Sequence, residues 1–139
     1  MSVMIIFGII VFVIAMYITY TPVECENFGC FSTRMVECDT ATYINEESEA
    51  SWEYRVMGKT DNSECAVEVT LLQAKEGDLA IKIFEGHRMT CFYPLGKHAY
   101  PEKDLLLCHG RLKEDLQSVI INKLHEYILD NLIEANLQI

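Results

Sequence analysis

Six cysteines and four histidines carry most of the reactive side-chain chemistry of the 139-residue chain. The sharpest set among them is Cys91, His98, Cys108 and His109, because two thiolates and one or two imidazoles suit tetrahedral Zn²⁺. That site needs strand, loop and helix gathered around one point. The competing chemistry is oxidation. Cys25, Cys30, Cys38, Cys65, Cys91 and Cys108 all follow an apolar leading segment. An even cysteine set on a small domain behind such a segment reads as a disulfide framework, since oxidation persists outside the cytoplasm and small cores benefit from crosslinks. We therefore expect disulfides and no cofactor, with Zn²⁺ at the four named residues as the alternative. Six cysteines allow about 15 complete pairings, so spacing alone does not give the connectivity.

Catalytic arrangements are sparse. A cysteine nucleophile needs a nearby base. Cys108 and His109 are adjacent, and neighbours on a helix point about 100° apart, so they form no dyad with each other. His87 lies in a turn and His125 on the less apolar side of the last helix, where both read as surface residues. There is no C-x-x-C, G-x-S-x-G, P-loop or H-E-x-x-H motif. Glu46, Glu47 and Glu49 lack the alternating acid-and-glycine pattern of a Ca²⁺ loop. No catalytic residues are expected and the chain does not read as an enzyme. A net charge of −10 repels phosphate backbones, which excludes nucleic acid from the expected partners.

The elements that must position these residues begin with an apolar run. Residues 3–20 hold no charged side chain. Such a run approaches the length needed to cross a hydrocarbon core of about 30 Å. It has no basic n-region and no Ala-x-Ala site, so residues 1–21 read as an anchor more than a cleaved signal. Tyr17 and Tyr20 suit a membrane interface. The expectation is a single-pass transmembrane helix, contacting membrane lipid through residues 3–20, with the C-terminal domain outside the cytoplasm.

Residues 22–50 read as a cysteine-containing neck followed by an acidic loop, and residues 51–139 as one α+β domain. In Ser51–Gly58, Trp52, Tyr54 and Val56 alternate with Glu53 and Arg55, the pattern of a strand with one wet face. Further strands are expected at Glu64–Lys75, with Cys65, Val67, Val69 and Leu71 inward, at Leu79–Ile83, and at Arg88–Tyr93. Short turns between them imply an antiparallel four-stranded meander. That order puts a strand between Cys65 and Cys91, disfavouring a bridge between them and leaving each to pair with Cys108 or a neck cysteine. A short helix is expected over Pro101–His109, with Pro101, Glu102 and Asp104 at its start and Gly110 at its end.

From Leu112 the apolar residues Leu116, Val119, Ile120, Leu124, Tyr127, Ile128 and Leu132 recur three and four apart, an amphipathic helix whose stripe should pack on the sheet. Ile121, Leu129 and Ile133 widen that stripe and could mark a contact between copies. The functional expectation is a membrane-anchored, disulfide-stabilised extracytoplasmic domain acting by binding or assembly, with a protein partner or self-association. The alternatives are a pilin-like filament subunit, against which stands the missing basic leader, and the zinc- or thiol-dependent domain above.

Overall fold

The computed structural model describes residues 2–75, 79–101 and 104–136. The chain folds as an α+β structure around a mixed sheet of six strands in the order β1-β2-β3-β4-β5-β6. The strands are β1 (Val23–Cys25), β2 (Ala41–Glu46), β3 (Ala50–Lys59), β4 (Glu64–Ala74), β5 (Arg88–Pro94) and β6 (Cys108–His109). Helix α1 (Ser2–Tyr20) precedes the sheet, α2 (Phe28–Glu37) joins β1 to β2, the single turn α3 (Leu79–Lys82) lies between β4 and β5, and α4 (Arg111–Asn136) closes the chain.

The alternation in β3 and β4 has its expected consequence. Trp52, Tyr54 and Val56 are buried, as are Cys65, Val67, Val69 and Leu71. Val56 stands opposite Val67, and Tyr54 opposite Val69. Strand β5 continues the face, with Cys91 opposite Val67. One buried cluster collects these side chains with Phe31 and Met35 of α2 and Leu112 of α4.

The four-stranded meander is corrected to a six-stranded mixed sheet. Its extra strands come from the stretch read as neck and loop. Asn27 caps α2, its side chain accepting from the backbone N–H of Cys30 at 2.9 Å. Phe31 and Met35, four apart, turn one helical face into the core. Between β1 and β2 lie about 15 residues, enough for the crossover that a parallel pair requires. Strand β2 pairs antiparallel with β3, Tyr43 opposite Tyr54. Phe31 joins them, its ring centroid 5.8 Å from Tyr43 and 5.7 Å from Tyr54.

The expected strand at Leu79–Ile83 is instead α3 followed by a turn, and the turn expected at residues 76–78 lies outside the described residues. Of that short apolar run Ile81 is buried whereas Ile83 is exposed, and the backbone bonds close locally, Phe84 N–H to the Ile81 carbonyl and His87 N–H to the Phe84 carbonyl. An apolar run this short fits either period. Strands β4 and β5 therefore pair directly. The helix expected over Pro101–His109 is a 3₁₀ turn, Leu105–Leu107, capped by Asp104 and running into β6; Glu102 lies outside the described residues.

The transmembrane helix and the single-pass membrane localisation are also corrected: among the described residues no helix is long and apolar enough to cross a membrane. The packing expected of the last helix is corrected too. Only Leu112 is fully buried, with Leu116 and Val119 packed against the core, and from Ile120 to Leu132 every side chain is exposed.

Candidate functional site

The sulfur chemistry is fixed by the sheet. Cys91 on β5 lies directly opposite Cys108 on β6, and the two are bonded. Cys38, at the end of α2, is bonded to Cys65 on β4, and Cys25 on β1 to Cys30 in the first turn of α2. Cys65 and Cys91 are not bonded to each other, although no strand separates them: on the neighbouring strands β4 and β5, Cys65 faces Tyr93 while Cys91 faces Val67, one alternation away. The three bonds staple both edges of the sheet and its one crossover, so the chain is a disulfide-stabilised α+β domain.

The residues named for zinc separate into two environments. Cys91 and Cys108 are buried and share their sulfurs with each other. His98 and His109 are exposed, the latter with its ring centroid 6.0 Å from that of Phe92. Among the described residues no three His, Cys, Asp or Glu side chains are grouped to hold a metal ion. His87 has a structural position that its place in a turn did not reveal: its Nδ1 lies 2.6 Å from Asp115 Oδ2 and ties the turn before β5 to the start of α4.

At the β1 edge a cleft of about 360 Å³ is lined by Glu24, Cys25, Glu26, Thr42, Tyr43, Ile44 and Glu53. Its carboxylates come from β1, the residue that follows it, and β3, so only the parallel β1–β2 pairing brings them together. The linear spacing of these residues carries no sign of that. Glu53 is engaged by Arg55 at 3.5 Å. Burial pushes the Tyr43 hydroxyl above its usual value, with Tyr100 and Glu47 adding to the shift. The same face of β3 carries further paired charge, with Glu68 opposite Arg55 and 3.8 Å from Arg88.

Apolar surface is distributed differently. Every described side chain of α1 is exposed, including Ile5, Ile6, Phe7, Ile9 and Phe12, and none of them is charged. A helix apolar on all sides is ordinarily enclosed. Helix α4 has an apolar side only, continued outward from Leu112 by Ile120, Leu124 and Ile128 after the core has ended. The stripe was legible as a stripe. Its length was the overlooked signal: a 26-residue helix of about 39 Å outruns β5, the strand it packs beside, whose 7 residues span about 23 Å, so part of it has no sheet to lie on.

No protein-family model, curated protein or solved structure matches the chain.

Proposed function

We propose that the protein is a binding or assembly module, working by contact and not by catalysis, in which a disulfide-stapled sheet holds apolar helical surface out to a protein partner. One observation carries this reading. The sheet and α2 bury one apolar cluster and expose only scattered apolar residues such as Ile44 and Met57, whereas α1 and the outer half of α4 leave theirs exposed in contiguous runs. Contiguous exposed apolar surface of this extent marks an interaction site. Rigidity supports it, since three crosslinks limit the order that must be imposed when a partner binds.

The test is a photoreactive benzophenone side chain placed in the full-length protein at Leu124 or Tyr127, with Lys59 at the end of β3 as control, irradiated in the cells that make the protein. Protein adducts are expected from 124 and 127 and not from 59. No adduct at either helical position would refute the reading.

A further inference from the structure

We infer that the Cys25–Cys30 disulfide is an exchange site, opened by an external thiol while the other two crosslinks stay closed, and that its opening frees strand β1. Exposure singles it out. Cys38, Cys65, Cys91 and Cys108 are buried at 5% exposure or less, so both cysteines of each of the other bonds lie inside the core. Cys25 is 8% exposed, and Cys30 is the one cysteine of the six that is not buried. Thiol–disulfide exchange needs a thiolate to reach one of the two sulfurs, so exchange on the folded protein runs through Cys30.

Position in the fold supports the same assignment. Cys30 is the third residue of the ten-residue α2, and the Asn27 side chain accepts from its backbone N–H at 2.9 Å. Negative charge is favoured in that first turn, so a thiolate on Cys30 is a good leaving group. In the first step an external thiolate attacks Cys30 Sγ and bonds to it; the Cys25–Cys30 bond breaks, and Cys25 leaves with the electron pair and takes a proton from water. In the second step another external thiolate attacks the external sulfur of this mixed disulfide and expels Cys30 as its thiolate. Two thiols are oxidised to one disulfide, and the protein's disulfide is reduced to two thiols.

The structural consequence is local. Strand β1 has three residues, stands at the end of the strand order, and among the described residues pairs with β2 and no other strand. Without the bond it keeps that backbone pairing, including Val23 N–H to the Thr40 carbonyl at 3.2 Å, and loses its covalent tie to α2. Helix α2 stays in place, because Phe31 and Met35 are buried and Cys38 fixes its other end to β4. Glu24, Cys25 and Glu26 line the cleft beside β2, so exchange at Cys30 frees one of its walls.

The experiment treats the full-length oxidised chain with reduced glutathione at neutral pH, quenches with acid, alkylates the free thiols and locates them by peptide mass. Cys25 and Cys30 are expected to become reactive at least about tenfold faster than the other four cysteines, with the trapped mixed disulfide on Cys30. Amide exchange should then rise along β1 and stay unchanged in the last two turns of α2. Two single variants assign the reacting sulfur. Cys25→Ser leaves Cys30 free and should take up oxidised glutathione at least about tenfold faster than Cys30→Ser, which leaves the buried Cys25 free. Circular dichroism and the two remaining disulfides show that each variant is folded, and the wild-type kinetics decide the matter where one is not. Three bonds that open together, either of the other bonds opening first, or no reduction before the chain unfolds overturns the inference. So does a mixed disulfide on Cys25, equal uptake by the two folded variants, or unaltered exchange in β1 once its bond is reduced.

Discussion

Cys38 and Cys65 are joined across a sequence separation of 27, and Cys38 makes that bond from a left-handed backbone conformation with φ of 58°. The residue that stops α2 is thus also the one that fixes the helix to the middle of the sheet. Its backbone N–H closes the last turn onto the carbonyls of Arg34 and Met35.

Loop length orders the three crosslinks. In the chain-entropy account, removing Cys38–Cys65 costs about 3.6 kcal/mol, Cys91–Cys108 about 3 kcal/mol, and Cys25–Cys30 about 2 kcal/mol. Paired Cys→Ala variants unfolded in urea should follow that order. Loss of Cys38–Cys65 should also expose Phe31 and Met35, visible as faster amide exchange along α2 than in the other two variants.

Gly110 joins β6 to α4 with φ of +123°, and a Cβ there would stand 3.0 Å from the Arg88 carbonyl oxygen and 3.1 Å from Met89 Cα. Both obstacles are backbone, so neither yields cheaply. Gly110→Ala should destabilise the fold by more than about 1 kcal/mol, since an alanine at such φ is strained even in open space. Thermal unfolding checks this against Gly96→Ala, which has positive φ but nothing within 4 Å of the added carbon and should cost less.

The hydrogen bond from Lys75 Nζ, at 2.6 Å, holds the Glu46 carboxyl below its usual 4.5, and a second from Ser51 Oγ at 2.7 Å adds to the effect. A carboxyl depressed by folding stabilises the native state above its unfolded pKa, and that contribution is lost as pH falls through the folded value. In Lys75→Ala, Glu46 should titrate closer to 4.5 by NMR. The stability difference between wild type and variant should shrink on acidification below about pH 4.5. A difference independent of pH would show that Lys75 acts through something other than this carboxylate.

Much of the architecture is written locally. The period-two runs of β3, β4 and β5 name their own buried faces, because a strand's side chains alternate whatever its neighbours do. The long apolar periodicity of α4 is equally local. The six cysteines, uniform in number and placement, announce crosslinks without saying which. What escaped the linear reading depends on distant pairing. Val23–Cys25 is a strand only because Ala41–Tyr43 lies beside it, and Phe31 is a core residue only because Tyr43 and Tyr54 meet it from two strands.

Tertiary structure alone decided three things, each by competition for a surface of finite size. It chose β5 over the Leu79–Ile83 run as the partner of β4, and so placed Cys91 against Cys108. It drew the edge strands into a cleft of carboxylates. It also ended the core at Val119, leaving the outer stripe of α4 in water. The sequence determined that this stripe is apolar, since that is a property of residue types at helical spacing. Whether it is buried was settled by how far the sheet extends beneath it, a length that no residue of α4 encodes.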